Sequence, residues 1–374
     1  MSKIIFGTQR ISEYNPQHLQ ALKEAINSGV RIIDTSPSYM DGSAQRTVAL
    51  AFREFDDDIR DSIDIITKFD INSDASEVLE SSLKDLEVDS IECLMIESPE
   101  SVLYKAIEDG LNKDDRLDEI YKLIYDAFLE CESLIQTGKI KSYGISSEAF
   151  SMSHSDDKFL PYEDLTTLAN NASEELKNKK HSFTTIELPI NILENEGLPC
   201  IKWAKENDLI VIATRPLNAI TNNQVYRLAD YSESTEYYHH LNELLEVTDN
   251  EVLRPLFTLF EELDASKHKF GWIGDYETFL YTQAIPHIQK VLKNIDKDNA
   301  DTMLNFIDLF FIEYKKMVGY ECSKKTREAL KEIFKECHVN MQECALNYLL
   351  GIDDIDYIAV GMRKPSYVNE IMSL

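Results

Sequence analysis

Short apolar runs alternate with longer amphipathic stretches along most of the chain. The runs have the length of buried strands, whereas the stretches between them carry apolar residues at the spacing of a helix. Strands that alternate with helices are typical of a parallel sheet, because a helical crossover returns the chain to the same end of the sheet. The predicted strands comprise residues 4–7, 31–34, 63–68, 92–96, 140–145, 183–188, 209–213 and 356–360.

The stretches between these strands carry the end signals of helices. Pro16 stands at a first turn, and Gly29 and Gly138 each follow the end of a helical pattern. The predicted crossover helices comprise residues 16–28, 43–55, 76–86, 117–137 and 194–207. Eight strands alternating with helices predict an α/β fold of the (β/α)8 TIM barrel type.

One connection is far longer than a crossover needs. After the seventh strand, a mostly helical pattern fills residues 218–340, with predicted helices at 237–245, 252–263, 276–294, 301–318 and 325–336. We see no repeat and no linker composition, so we predict one domain over 1–374 with a helical insertion at 218–340. Because the connection follows a strand's carboxyl end, it is predicted to lie at the face of the active site, as a lid or a docking surface for a protein partner.

Composition narrows the classes of partner. The chain has 374 residues, 43% of them apolar, and a formal net charge of −29. Nucleic acids and anionic membranes bind clustered Lys and Arg, so neither is an expected partner. No apolar run reaches the roughly 18 residues of a membrane span, and the first residues lack the blocks of a signal peptide. The expected location is the cytoplasm.

The six cysteines lack the spacing of a disulfide framework or a zinc site. Reduced thiols are therefore expected throughout. Cys337 and Cys344 are one heptad apart, which favours packing on a buried helix face over a role as metal ligands. No metal site is predicted.

Four polar residues stand at or just beyond the ends of the early strands: Asp34, Tyr39, Lys68 and Glu97. Alone, the first three have simpler explanations as a turn residue, a packing residue and a solvated lysine, whereas a carboxylate directly after Leu-Met-Ile is harder to explain as surface. Parallel strands would bring all four into one pocket. A phenol has a pKa of about 10, but a neighbouring ammonium can lower it and a carboxylate can hold that ammonium in place. The grouping therefore predicts Tyr39 as a proton donor.

Four segments carry a family resemblance. Residues 29–39 read Gly-Val-Arg-Ile-Ile-Asp-Thr-Ser-Pro-Ser-Tyr, which resembles Gly-Ile-Arg-His-Ile-Asp-Thr-Ala-x-x-Tyr of the aldo-keto reductases. Residues 138–146 resemble the family's Gly-Lys-Ile-Arg-x-Ile-Gly-Val-Ser, and residues 6–9 its first strand end. Residues 345–350 and 357–363 together resemble its closing helix and strand. The segments follow one another in the family's order.

The resemblance implies NADP(H) as cofactor, lying extended across the barrel mouth, which needs no Gly-x-Gly-x-x-Gly fingerprint. Arg363 and Lys364 are the expected partners of its 2′-phosphate, since a guanidinium suits phosphate, although both would equally suit an exposed helix start. The predicted cofactor residues are Thr8, Gln9, Asp34, Ser146, Ser147, Glu187, Thr214, Arg215, Leu217, Gly361, Arg363, Lys364, Tyr367 and Glu370.

The chain departs from the family at several of these positions. Ser147 replaces the usual Asn, Glu187 the usual Gln, and Thr214 an aromatic residue that many members stack on the nicotinamide. Near the adenine, Tyr367 and Ile371 replace a polar pair. A hydroxyl and a carboxylate can still bond a carboxamide.

The family's fourth catalytic residue is usually His, and here Glu97 replaces it, as a Glu does in the family's steroid double-bond reductases. A neutral Glu97 could donate a hydrogen bond to a substrate oxygen, whereas a charged one would repel a developing oxyanion. The resemblance thus implies an NADPH-dependent oxidoreductase that acts on a carbonyl or activated double bond of a small molecule. The alternatives are an NADP(H)-binding regulatory or assembly protein, and a barrel with neither cofactor nor turnover.

Overall fold

The computed structural model describes residues 3–221 and 224–374. These form two compact units, Met1–Pro216 with Ala345–Leu374, and Leu217–Cys344. We call them the barrel unit and the helical unit. The prediction of a single domain with an insertion that closes over the barrel stays a prediction.

Eight parallel strands of the barrel unit close into a barrel, as predicted. Around the barrel the order is β1-β10-β7-β6-β5-β4-β3-β2. The strands are β1 (Ile4–Gly7), β2 (Ile32–Asp34), β3 (Asp64–Asp70), β4 (Ile91–Glu97), β5 (Ile140–Ser146), β6 (Phe183–Pro189), β7 (Ile210–Thr214) and β10 (Tyr357–Val360). The predicted fold class is thereby confirmed.

Three helices of the barrel unit begin after residues whose side chains satisfy free backbone N–H groups. Asn15, Asp74 and Asn112 each accept a hydrogen bond from a first-turn N–H through the side chain. The helices are α1 (Pro16–Asn27), α2 (Ser43–Phe52), α3 (Asp57–Arg60), α4 (Ala75–Leu86), α5 (Glu100–Glu108), α6 (Lys113–Thr137), α7 (Leu165–Glu175), α8 (Leu198–Glu206), α14 (Met341–Leu350) and α15 (Pro365–Met372).

The barrel interior is apolar at its centre and polar at its carboxyl end. Ile5, Ile66, Cys93, Met95 and Ile212 pack together inside it. Between β5 and β6, a Cβ on Gly144 would lie 2.4 Å from the Thr185 carbonyl oxygen, so only glycine fits there. This close approach fixes how β5 and β6 meet just before their functional ends.

The helical unit is mostly helical, as predicted, but it opens with a hairpin that the sequence did not reveal. Its strands are β8 (Asn218–Thr221) and β9 (Gln224–Arg227). The helices are α9 (Tyr237–Thr248), α10 (Arg254–Ser266), α11 (Ile273–Phe279), α12 (Ile285–Leu292) and α13 (Lys297–Ala329). A core of aromatic and aliphatic side chains, including Phe260, Phe310 and Tyr314, holds them together.

The cysteine prediction is wrong for one pair. A disulfide joins Cys337 to Cys344. The predicted helix over 325–336 is helical only as far as Ala329, where α13 ends. Cys337 lies in the connection before α14, so the two cysteines do not share the face of one helix. Cys93, Cys131, Cys200 and Cys322 are free and buried.

Candidate active site

The four predicted catalytic residues lie on three neighbouring strands and one loop. Asp34 is the last residue of β2, Lys68 lies near the end of β3 and Glu97 is the last residue of β4. Tyr39 follows in the loop between β2 and α2. All four therefore stand at the carboxyl end of the barrel, where the fold places active sites.

Lys68 is the centre of a buried charge cluster. Its ammonium donates to the Asp34 carboxylate and also to Glu187, whose oxygens lie 3.1 and 3.2 Å from Nζ. Ser146 donates to Glu187 Oε1 at 2.6 Å. Lys68, Asp34 and Glu187 expose only 1, 5 and 3% of their surfaces, so water does not screen these charges.

Two carboxylates therefore face one ammonium. Burial raises the pKa of Asp34 to about 7 although Lys68 lowers it, and the neighbouring Glu187 adds to the rise. Burial would lower the pKa of Lys68, but the Asp34 and Glu187 carboxylates raise it well above its ordinary value. Lys68 is thus a permanent cation at neutral pH.

Tyr39 is half-buried beside this cluster. Burial raises its pKa well above the ordinary value, Lys68 lowers it, and Asp34, Glu187 and Glu97 raise it again. The expectation that Lys68 would bring about a lowered phenol pKa is therefore not met, because burial and three carboxylates outweigh the ammonium. The phenol holds its proton through the neutral range.

Glu97 forms a compact triangle with two serines. Its Oε2 accepts from Ser36 Oγ at 2.9 Å and from Ser38 Oγ at 3.1 Å, and the two hydroxyl oxygens are 2.8 Å apart. The two serine hydroxyls have one hydrogen each, so they can donate at most two hydrogen bonds among these three contacts. A cavity of about 370 Å³ adjoins Glu97 and Lys68, walled otherwise by serines, Pro37, Phe69, Asp70 and Val78.

Ser147 has a partner that the sequence did not suggest. It is 2% exposed, and its hydroxyl donates to Glu100 Oε2 at 2.6 Å. The backbone N–H of Glu148 donates to the other oxygen of Glu100 at 3.2 Å. Burial raises the pKa of Glu100. The one sequence signal that Glu100 lies near the site is its position, directly after Pro99 and three residues after Glu97.

Arg215 lies between two further carboxylates. Its guanidinium donates to Glu148 at 3.1 Å and to Glu194 at 2.5 Å. The Nε of Arg215 is buried and has no hydrogen-bond partner within residues 3–221 and 224–374. The backbone of Arg215 is in the left-handed region, with a φ of 51°.

The other predicted cofactor residues are spread over both units. Thr8 is fully buried and donates to the Asp34 carbonyl oxygen at 2.9 Å, whereas Gln9 is exposed. Thr214 ends β7, and Leu217 belongs to the helical unit. Their roles stay predictions.

The closing segment carries two cations. Arg363 is half-buried and Lys364 exposed, just before α15 begins at Pro365. Neither pairs with a carboxylate in the described part of the chain. Lys364 lies 5.6 Å from the ring centre of Tyr367, and Gly361 has open space where a Cβ would stand. Glu370 lies on α15 itself.

The helical unit has a separate group of potential metal ligands on α9. Ligand atoms of His239, His240 and Glu243 lie within 4.8 Å of one another. Both histidines are within ion-pair distance of Glu243, at 3.4 and 3.2 Å, which accounts for the grouping without a metal. The absence of a metal site stays a prediction.

Comparison with known families gives one match over almost the whole chain. The sequence model described as "Aldo/keto reductase family" matches residues 3–374. No curated protein matches the chain by sequence. Among the described residues, no helix is both long and apolar enough to cross a membrane.

A solved structure shows the same fold. A glycerol dehydrogenase from Gluconobacter oxydans is 15% identical over 100% of this chain and 86% of its own, with a TM-score of 0.51. Two structures of an aldo-keto reductase from Klebsiella pneumoniae, in complex with NADPH and with NADP and acetate, are 20 and 21% identical over 58% of this chain, with TM-scores of 0.39. This chain spans 64 and 65% of the lengths of those two.

Proposed function

The chain belongs to the aldo/keto reductase family, and we propose that it is an NADPH-dependent oxidoreductase that reduces a carbonyl or an activated double bond of a small molecule, with Tyr39 as general acid. NADP(H) is the cofactor of this family. The observation that carries the proposal is a half-buried phenol at the carboxyl ends of the barrel strands, close enough to the buried Lys68 ammonium for that charge to act on its pKa.

The chain offers groups that suit a dinucleotide. The buried Nε of Arg215 lacks a partner in the described residues, and an unpaired guanidinium N–H suits a phosphate oxygen. Arg363 and Lys364, which no described carboxylate neutralises, would hold the 2′-phosphate. When bound, NADPH supplies the hydride.

Each residue of the site has its own role in the transfer of a proton to the substrate. Tyr39 keeps its proton at neutral pH and donates it to the substrate oxygen as negative charge develops there. Lys68 stays positive and stabilises the phenolate that remains. Asp34 and Glu187 fix the Lys68 ammonium in position.

Glu97 would act as a neutral carboxyl. Its Oε2 contacts the Ser36 and Ser38 hydroxyls, either of which can turn to accept a hydrogen from a protonated carboxyl. A neutral Glu97 does not repel the negative charge that develops on the substrate oxygen.

The test is NADPH oxidation on a panel of carbonyl and enone substrates. Tyr39→Phe is expected to lower the rate by about 10²- to 10⁴-fold, while NADPH affinity, followed by tryptophan fluorescence, stays within a few-fold. Full activity of Tyr39→Phe on a substrate that the unmodified protein reduces would refute the proposal.

Two further variants test the finer assignments. Glu97→Gln, which keeps a donor, should retain part of the rate and flatten its pH dependence, whereas Glu97→Ala should not; equal rates for Gln, Ala and His variants would remove Glu97 from the mechanism. Arg363→Ala should erase most of a roughly ten- to hundredfold preference for NADP(H) over NAD(H).

An NADP(H)-binding regulatory or assembly protein with little turnover is the second candidate. It is favoured by Ser147, because the hydroxyl hydrogen expected to bond the cofactor carboxamide goes to Glu100. NADPH binding without turnover across the substrate panel would favour this candidate.

A further inference from the structure

The contact between Lys68 and Glu187 crosses the interior of the barrel. Lys68 lies on β3 and its partner Asp34 on the adjacent β2, but Glu187 lies on β6, which β4 and β5 separate from β3. Sheet pairing alone does not bring β3 and β6 together. The side chains themselves reach across the interior to make the ion pair.

Contacts with Lys68 and Ser146 hold the Glu187 carboxylate in place. Both its oxygens face the Lys68 ammonium, at 3.1 and 3.2 Å, and one of them also accepts from Ser146. It exposes 3% of its surface, so these protein groups replace its hydration. Breaking the pair would leave an uncompensated buried charge.

The cluster sets the charge that Tyr39 experiences. Four groups act electrostatically on the phenol: the Lys68 ammonium on β3 and the carboxyl groups of Asp34 on β2, Glu97 on β4 and Glu187 on β6. The ammonium favours the phenolate, whereas each carboxylate favours the neutral phenol. With Asp34 alone, Lys68 would form a neutral pair, and Glu187 makes the pair net negative.

We propose that Glu187 is a positioning residue, which anchors Lys68 across the barrel and keeps the Tyr39 phenol protonated, so that the form of the site needed for reduction is the populated one. This rests on the proposed function in that it takes Tyr39 as the acid. Its consequence is that oxidation should need a higher pH than reduction, because oxidation needs a phenolate to receive the proton from the substrate alcohol.

The test measures Tyr39 directly, without cofactor or substrate. In protein labelled with ¹³C at the tyrosine Cζ, the Tyr39 signal is assigned by its loss in Tyr39→Phe and followed against pH. Glu187→Gln keeps the size of the side chain and an acceptor for Ser146 but removes the charge. It should lower the pKa of Tyr39 by about one unit or more, and Glu187→Asp, which keeps the charge, should restore most of the difference.

Glu100→Gln is the matched control. Glu100 is equally buried, at 2% exposure, but bonds Ser147 instead of Lys68. The same substitution there should leave the Tyr39 titration where it is. Unchanged titration in Glu187→Gln, or an equal shift in the Asp and Gln variants, would overturn the proposal.

Should Glu187→Gln fail to fold, the unmodified protein carries the test. One ammonium cannot neutralise two carboxylates, so the Tyr39 ¹³C signal should remain that of the neutral phenol beyond a pH of about 10, the ordinary pKa of a phenol. A Tyr39 signal that titrates at or below that pKa would overturn the proposal. If the proposed function is wrong, the protein shows no turnover. Neither titration depends on turnover, so failure of the proposed function can be told apart from failure of this proposal.

Discussion

Two clusters of the barrel unit each hold one cation between two carboxylates, but they differ in burial. Lys68 lies between Asp34 and Glu187, and Arg215 lies between Glu148 and Glu194. The Lys68 side chain exposes 1% of its surface and that of Arg215 exposes 26%. In the first cluster the excess negative charge is unscreened and shifts pKa values, whereas in the second cluster water screens it. Burial, not composition, makes the Lys68 cluster suitable for proton chemistry.

Removing the buried cation should have the largest effect. Lys68→Met leaves Asp34 and Glu187 buried without a counter-ion, which should lower the free energy of unfolding by about 3–5 kcal/mol and turnover by about 10²- to 10⁴-fold. Without the ammonium, the pKa of Asp34, which burial already raises, rises further, so the folded variant binds that proton more tightly. The loss of stability should therefore grow as pH rises from about 5.5 to about 8.

Chemical denaturation at both pH values measures this effect. Lys141→Met is the matched control on strand β5, because Lys141 pairs with Glu92 while 64% of its side chain is exposed. It should change stability by less than about 1 kcal/mol. If both variants lost equal stability, the contrast between buried and exposed pairs would be wrong.

A smaller effect is expected from removing one buried carboxylate. The pKa of Asp34 is about 7 in the folded protein and 3.8 ordinarily, so the folded state binds the proton more tightly. Asp34 therefore stabilises the fold at low pH, and that contribution is lost as pH rises towards 7, by at most about 1.4 kcal/mol per pH unit. Asp34→Asn should have a flatter stability profile between about pH 5.5 and about pH 7.5. Parallel profiles for the two proteins would contradict the raised pKa.

The sequence predicted the barrel well, because buried parallel strands appear as apolar runs that end in polar residues. It predicted the helical unit less well. The hairpin of β8 and β9 has strands of only four residues each, which leave almost no periodic signal. The disulfide was missed because Cys337 was assigned to a helix that ends earlier.

The sequence likewise predicted some residues of the site and missed others. Asp34, Tyr39, Lys68 and Glu97 could be grouped because they end neighbouring strands. Glu187 was predicted only as a cofactor residue, since no sequence pattern reports a contact across a barrel between strands that two others separate. Glu100 was missed because a glutamate at a helix start is ordinary surface chemistry.

The smallest effects are expected at the cluster of Arg215, Glu148 and Glu194. Arg215→Ala should change the free energy of unfolding by less than about 1 kcal/mol, because screened ion pairs contribute little. The φ of Arg215 is 51°, which is strained for any residue with a Cβ. Arg215→Gly removes the same ion pairs but also the strain, so it should be more stable than Arg215→Ala by roughly 1 kcal/mol. Denaturation of the two variants side by side isolates the backbone from the charge, and a glycine variant no more stable than the alanine variant would show that the left-handed backbone costs nothing here.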